Sequence, residues 1–105
     1  MAYRARAILS FRAKVAGLAF APMTDPIQDA LLQLYIAEEE ETEIAVSAIG
    51  PLIRVAQTTW LRHMALMEEA GLVIRTNDPN DKRRCWLTLS RECKARLDEF
   101  LSDFW

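Results

Sequence analysis

The sequence has few of the residues that define disulfide-rich, metal-binding or disordered proteins. Its 105 residues include only two cysteines, one histidine, three glycines and four prolines. Two thiols and one imidazole cannot make a disulfide framework or a four-ligand zinc site within one chain. So little glycine and proline does not fit a linker-rich or disordered chain. We therefore expect a folded chain with one core, with both thiols reduced and packed and with no bound metal.

Long apolar runs and catalytic motifs are also missing. No run approaches the roughly 18 apolar residues that a membrane span needs. Arg12 and Lys14 interrupt the N-terminal stretch where a secretory signal requires an unbroken apolar segment. We find no glycine-rich phosphate loop and no Ser or Cys nucleophile beside a placed His. The sequence therefore predicts a cytoplasmic protein that is not an enzyme and has no catalytic residue, no cofactor and no membrane partner.

Charge is distributed unevenly along the chain, although the net charge is only −2. Residues 1–24 contain four bases and no acid, residues 25–43 contain seven acids and no base, and residues 54–96 contain nine bases and five acids. Because adjacent like charges repel each other, the run from Glu38 to Glu43 is interpreted as a solvated turn and not as a metal site. The acidity is therefore local, and the second half of the chain is basic enough to meet a polyanion.

Hydrophobic periodicity predicts two helices before this acidic run. In residues 1–22 apolar side chains recur at spacings of three and four, which is typical of one helix face. They are Ile8, Phe11, Val15 and Leu18. This basic helix is expected to pack on a partner helix in a dimer, although its composition also fits a membrane-surface or transit-type peptide.

The second helix begins with Asp25 as cap and Pro26 at the first helical position. Its core-facing stripe comprises Ile27, Leu31, Leu34 and Tyr35.

A short strand and a short helix are predicted next. Ile44 and Val46 are strand-forming residues, and Ser47 can cap a helix that continues to about Ile53. The glycine and proline at positions 50 and 51 make that helix a weak one. A break at residues 54–56 leads to a stronger helix over residues 57–70, which Gly71 ends because it tolerates the left-handed conformation. Two helices joined by such a turn form a helix-turn-helix.

The two sides of the helix over residues 57–70 differ in chemistry. The side expected to face the core contains Trp60, Met64 and Met67, with His63 as a half-buried packing residue. The opposite side presents Thr58, Arg62, Ala65 and Leu66, with Gln57 at the N-terminus, where a solvent-facing helix usually has Glu and Lys. Small side chains on this side would let the helix lie close to a groove. Gln and Arg, here Gln57 and Arg62, are the residue types that make bidentate contacts to adenine and guanine edges.

The last third of the sequence predicts a β-hairpin and a final helix. Strand-forming residues over 72–75 and 85–89 flank a segment over residues 77–84 that is rich in turn formers. The return arm of this loop contains Lys82, Arg83 and Arg84, which a flexible ribbon would hold out towards phosphates. Ser90 can cap a final helix from Arg91 to about residue 104. Its apolar side comprises Ala95, Leu97, Phe100, Leu101 and Phe104.

This order of elements, together with one stretch of sequence, resembles the MarR family of multiple antibiotic resistance regulators. The most specific likeness runs from Glu68 to Ser90: a helix ending in Glu-Glu-Ala-Gly-Leu, an Arg that opens the wing, an Asp-Lys-Arg-Arg wing, and a Leu-Thr-Leu-Ser run into the last helix. The resemblance implies a mainly α fold with a small β-hairpin (α+β), a winged helix-turn-helix over residues 23–105, and N- and C-terminal helices for dimerisation. Family members have two helices after the wing, whereas 15 residues follow Ser90 here, so we expect dimerisation to rest on the first and last helices.

The resemblance also implies a nucleoid-associated transcriptional regulator that binds double-stranded operator DNA as a homodimer. The helix over residues 57–70 would enter the major groove, and the wing over residues 77–84 would follow the minor groove or the backbone. Arg75 would open the wing, and Asp81 would orient one of its arginines through a carboxylate–guanidinium contact. The expected DNA-binding residues are Gln57, Thr58, Thr59, Arg62, Leu66, Lys82, Arg83 and Arg84. The alternative is a winged-helix module that binds another protein; whether a small-molecule effector binds stays open.

Overall fold

A computed structural model describes residues 1–16 and 25–102 of the chain. In that part of the chain the elements are α1 (Ala2–Ala16), α2 (Asp25–Glu39), β1 (Ile44–Ala45), α3 (Val46–Leu52), α4 (Gln57–Glu69), β2 (Val73–Asp78), β3 (Asp81–Leu89) and α5 (Arg91–Ser102). The strands form one antiparallel sheet in the order β1-β3-β2. The predicted α+β class and winged-helix order are confirmed. The predicted seam residue Leu18 and the boundary at residue 22 lie outside the described residues.

The core forms where α2, α4 and α5 pack against the inner face of the sheet. Its fully buried members include Ile27, Leu31 and Leu34 of α2, as the periodicity predicted. Trp60 of α4 is also completely buried, and its indole N–H donates a hydrogen bond of 2.7 Å to the carbonyl oxygen of Val46. Burying a large aromatic side chain stabilises the fold only if its polar atom is paired. This bond therefore fixes α4 against the start of α3.

The start of α3 differs from the prediction. Val46 is not in the strand: β1 ends at Ala45, and α3 begins at Val46 with Ala45 as an N-cap that makes no side-chain capping bond. Ser47 is an exposed residue inside the helix, so its predicted capping role is wrong. The cause is tertiary, because Ile44 and Ala45 pair with Leu87 and Trp86 of β3 and so fix where the strand must stop.

The acidic run is only partly a solvated turn. Glu38 and Glu39 belong to α2, and the Glu38 carboxylate accepts a hydrogen bond of 2.9 Å from the backbone N–H of Leu89 in β3. Glu39 forms a 3.2 Å ion pair with Lys94 of α5. The exposed turn is thus limited to residues 40–43. The two glutamates that precede it connect α2 with the sheet and the last helix.

Helix α5 is capped as predicted, because the Ser90 hydroxyl accepts a 3.1 Å hydrogen bond from the backbone N–H of Cys93. Its inward side consists of Cys93, Leu97 and Phe100, all buried. Ala95 is exposed, in contrast to its predicted apolar-side position, because it is two residues from both Cys93 and Leu97 and so lies on the opposite side of the helix. Phe104 is outside the described residues. The apolar side of α5 is therefore largely used within its own chain.

Helix α1 has exposed apolar side chains. Tyr3, Ile8 and Leu9 are 66%, 52% and 64% exposed. Within residues 1–16 and 25–102, no helix is long and apolar enough to cross a membrane.

Candidate nucleic-acid interface

The turn between α3 and α4 fixes the angle of the helix-turn-helix. It has no glycine at its left-handed position, which Arg54 occupies with φ = 60°. The backbone N–H of Val55 then bonds to the carbonyl oxygen of Gly50 at 2.9 Å. A Cβ atom at Gly50 would lie 3.0 Å from Oε1 of Gln57 and 3.2 Å from the carbonyl oxygen of Val55. Gly50, predicted only as a helix weakener, is therefore what lets α3 and α4 approach closely.

Helix α4 presents one side to the core and the other to solvent, as predicted. Trp60, Met64 and Met67 are buried, and His63 is half-buried. The Nδ1 atom of His63 is buried without a hydrogen-bond partner in the described part of the chain. This position fits the predicted packing role of the histidine.

The outer side of α4 is open over its whole length. Of the five α4 residues predicted to bind DNA, four are exposed: Gln57, Thr58, Arg62 and Leu66. Thr59 is half-buried, since it precedes Trp60 at the edge of the core. Leu61 is 41% exposed and was missed by the sequence analysis, although its spacing of four from both Gln57 and Ala65 places it on the same side.

The N-terminus of α4 carries no capping side chain. Its N-cap residue Ala56 makes no side-chain hydrogen bond, and the first turn contains no acidic residue. The first backbone N–H groups of a helix have no partner within the helix, and they point along its positive dipole end. This end of α4 is therefore suited to an anionic oxygen, beside the side chains of Gln57 and Thr58.

The wing is a tight hairpin and not the long loop that was predicted. Strands β2 and β3 are separated only by Pro79 and Asn80, and the N–H of Asn80 bonds to the Asp78 carboxylate at 2.8 Å. Lys82, Arg83 and Arg84 lie in β3, where the pairing with β2 becomes irregular after Asn77. All three side chains are exposed. The strand carries these cations to the tip of the domain, so their positions are fixed more firmly than those of a flexible ribbon.

The two wing arginines have different surroundings. Asp81 accepts a 3.0 Å hydrogen bond from the backbone N–H of Arg83, and its carboxylate lies 3.6 Å from the Arg83 guanidinium, so the acid and one of the arginines that the resemblance pairs are neighbours. The Arg83 side chain is nonetheless 94% exposed. Arg84 instead lies over the ring of Trp86, 5.3 Å from its centroid. This cation–π contact, which the sequence analysis missed, holds Arg84 against the sheet surface.

Arg75 connects the wing with α4. Its guanidinium is 3.0 Å from the carboxylate of Glu68 in the last turn of α4. In the sheet Arg75 pairs with Leu87, a core residue, so both side chains emerge on the face that looks towards α4. The sequence did not predict the partner Glu68. No sequence pattern indicates that a helix residue and a strand residue seven positions later will form an ion pair.

The fold is shared with solved structures of MarR-family regulators. No family model matches the sequence, and no curated protein sequence matches it. A point mutant of S. aureus MepR bound to an oligodeoxyribonucleotide superposes with a TM-score of 0.79 at 19% identity, over 97% of this chain and 70% of that chain. The transcriptional repressor CouR, bound to a 23-mer DNA duplex, gives 0.67 at 22% identity, over 92% of this chain and 63% of that chain.

This chain covers only part of the length of these MarR-family structures. The chain covers 58% of a second S. aureus MepR mutant and 72% of the MepR chain in its DNA complex, with a TM-score of 0.68 in both comparisons. At identities of 21% and 18% the likeness establishes the winged-helix fold.

Proposed function

We propose that the chain is a transcriptional regulator that binds duplex DNA as a homodimer, with α4 in the major groove and the wing along the adjacent backbone or minor groove. One observation carries the proposal: the ion pair between Arg75 of β2 and Glu68 joins α4, with its exposed outer side, to the hairpin whose strand β3 carries the exposed cations. MepR and CouR have the same fold in structures that contain DNA. CouR is a transcriptional repressor, which supports a role in regulation of transcription for this chain.

In this arrangement α4 supplies sequence readout. Arg62 and Gln57 would reach base edges, while Thr58 and the uncapped N–H groups of the first turn would contact phosphates. Ala65 and the methyl groups of Leu61 and Leu66 would meet the apolar surface of the groove, where thymine methyl groups lie. This exposed helix side contains two full charges, on Arg62 and on Glu69 in the last turn, and its other residues are uncharged, so most of it costs little to desolvate.

The wing would supply affinity that does not depend on sequence. Lys82 and Arg83 extend into solvent at the tip, and each phosphate that a cation neutralises releases a counterion and adds to the salt dependence of binding. Asp81 limits the freedom of Arg83 before DNA arrives, so less side-chain entropy is lost on binding. Arg84 would contribute charge from its fixed position over Trp86.

Two copies of the domain would bind a roughly palindromic site, since a twofold dimer presents two copies of α4 about one helical turn apart. The N-terminal segment, residues 1–22, would serve dimerisation, and residues 23–105 would form the DNA-binding unit. We place the protein in the cytoplasm at the nucleoid.

The test is fluorescence anisotropy with a duplex selected from a random pool by the purified protein. Arg62→Ala should cost about 1–3 kcal/mol on the selected duplex and relax discrimination at one base pair. Arg83→Ala should weaken binding to every duplex and reduce the salt slope by about 1. Arg91→Ala is the matched control, since Arg91 is an exposed arginine on α5 outside the proposed interface.

The wing double variant Arg83→Ala/Arg84→Ala provides the most direct test of the DNA-binding proposal. If it binds random duplex as tightly as the wild type across a salt series, the proposal is wrong. Failure of the wild type to stay on a heparin or DNA-cellulose column at physiological salt would favour the alternative, a winged helix that binds a protein.

A further inference from the structure

A second exposed surface lies on the side of α2 that faces α3. Asp29, Leu32, Gln33, Ile36 and residues 52–54 line a groove of about 480 Å³. Ile36 is 49% exposed and Leu52 is 52% exposed, although large apolar residues of this kind are normally covered. The groove therefore offers an apolar surface that the described part of the chain leaves open.

Acidic residues flank the apolar centre of this groove along α2. Asp29, Leu32, Ile36 and Glu40 follow one another at spacings of three and four, so they form one stripe with a carboxylate at each end. Both carboxylates are exposed. Arg54 is the one base among the described residues that line the groove. The stripe belongs to the segment of residues 25–43, which contains seven acids and no base.

Helix α1 has the opposite pattern. Ile8 and Leu9 are exposed apolar residues, and the exposed bases Arg4 and Arg6 precede them. Residues 1–24 contain four bases and no acid. An apolar helix face with basic neighbours matches the acid-flanked groove in both chemistry and charge, and charge complementarity of this kind selects partner and register.

The described part of α5 offers little apolar surface to α1. Within Arg91–Ser102, Cys93, Leu97 and Phe100 are buried in the core of their own chain. Among the described residues of the DNA-binding unit, Ile36 and Leu52 are the exposed large apolar side chains outside α4 and the wing.

We infer that α1 of one copy docks into the α2–α3 groove of a second copy, so that a homodimer contains two such contacts. Apolar contact of Ile8 and Leu9 with Leu32, Ile36 and Leu52 drives this docking. The arginines of α1 and the carboxylates of Asp29 and Glu40 set its orientation. The inference rests on the proposed homodimeric function and specifies which surfaces make the dimer.

Charge reversal on each surface tests the contact. In the α1 variant, Arg4→Glu/Arg6→Glu, and in the α2 variant, Asp29→Lys/Glu40→Lys, like charges meet at both contacts. Each variant alone should sediment at the mass of one chain, 12.0 kDa, whereas the wild type should sediment at about twice that mass. The control Glu43→Lys/Glu99→Lys makes the same charge change at positions outside the stripe, and it should remain dimeric.

Mixing the two variants gives the sharper result. A mixed dimer pairs reversed α1 with reversed α2 at one contact and wild-type surfaces at the other, so an equimolar mixture should regain the dimer mass. If the mixture stays monomeric, α1 packs on its own chain and the inference is overturned. If the α2 variant alone stays dimeric, α1 docks elsewhere, and the inference is again wrong. Ile36→Ser, which removes apolar contact without a charge change, should weaken the dimer and provides a readout if a charge variant does not fold.

Duplex binding measured in parallel separates this inference from the proposed function. A wild type that binds duplex while its α2 variant remains dimeric contradicts only the docking surface. A wild-type dimer that is dissociated by both reversals yet binds no duplex contradicts only the DNA-binding proposal. A wild type that is monomeric overturns the docking inference together with the homodimer part of the proposal.

Discussion

The guanidinium of Arg75 and the carboxylate of Glu68 lie 3.0 Å apart, and this ion pair joins the first strand of the wing to the last turn of α4. Both side chains are partly exposed, so the pair adds little to global stability. Its importance is geometric, because the two surfaces that we propose bind one duplex would have to keep a fixed spacing. Neither element alone would hold the wing cations at a constant distance from Arg62.

Glu68→Gln should loosen the wing without unfolding the domain. Loss of the carboxylate should lower the free energy of unfolding by less than about 1 kcal/mol, while hydrogen exchange of the wing-tip amides becomes faster. Glu99→Gln is the control, since it removes the same charge from an exposed position of α5 outside the proposed interface. The Glu68 variant should bind the selected duplex more weakly than the Glu99 variant in anisotropy titrations. Equal affinities and equal exchange rates would contradict this role of the pair.

Gly50→Ala should disturb the angle between α3 and α4. The added methyl group would lie 3.2 Å from the Val55 carbonyl oxygen, and that backbone atom cannot move as freely as the Gln57 side chain. Overpacking of about 1–3 kcal/mol outweighs the gain in helix propensity of up to about 1 kcal/mol. We therefore expect a net loss of about 1 kcal/mol in urea unfolding, together with weaker duplex binding.

The contrasting variant is Gly71→Ala. Gly71 has φ = 75° and would place no Cβ contact within 4 Å, so its cost is backbone strain of about 1 kcal/mol. Its duplex affinity should stay close to that of the wild type. Similar losses of affinity in both variants would mean that Gly50 has no special part in helix-turn-helix geometry.

The elements that the sequence predicts well are those whose signal is local. The stripe of α2, the two sides of α4, the hairpin strands and the Ser90 cap all depend on residues a few positions apart. The failures depend on contacts between distant segments. Ser47, for example, is not a cap because strand pairing with β3 fixes the point where β1 ends.

The same reasoning applies to the candidate interface. Periodicity was sufficient to place Thr58 and Arg62 on the open side of α4. It could not reveal that Glu68 binds Arg75 or that Trp86 supports Arg84, because register across a hairpin decides which side chains share a face. Nor could it show that Lys82 to Arg84 belong to a strand, since the turn needs only Pro79 and Asn80.

The two thiols should differ sharply in reactivity. Cys93 is buried in the core, and burial raises the pKa of its thiol to about 11. Cys85 is half-exposed on β3, where its thiol donates a hydrogen bond of 3.3 Å to the side-chain oxygen of Asn77. In the native protein a thiol reagent should label one cysteine quickly, and in denaturant it should label both. Cys85→Ser should abolish the fast phase, and a fast phase that survives in this variant would contradict the assignment.

Acid should weaken the contact between α2 and α5 through Asp98. The Asp98 carboxylate is 2.8 Å from the ammonium group of Lys94 and accepts a 2.6 Å hydrogen bond from the Tyr35 hydroxyl. Both contacts lower the pKa of Asp98 below its ordinary value of 3.8. The same hydrogen bond raises the pKa of the Tyr35 hydroxyl above its usual range. Because the pKa of Asp98 is lower in the folded state, its stabilising effect is complete above the unfolded-state value and is lost as the pH falls through the folded-state value.

Asp98→Asn should therefore reduce the free energy of unfolding at neutral pH and have progressively less effect below about pH 4. Urea unfolding of the wild type and the variant across this range measures the difference. Glu99→Gln, at the adjacent exposed position of α5, serves as the control and should leave the difference small throughout. The contrary result is a difference in the free energy of unfolding between the wild type and Asp98→Asn that stays the same from neutral to acidic pH. That result would mean that the ionised carboxylate does not hold α2 to α5, because the effect of lost packing does not depend on pH.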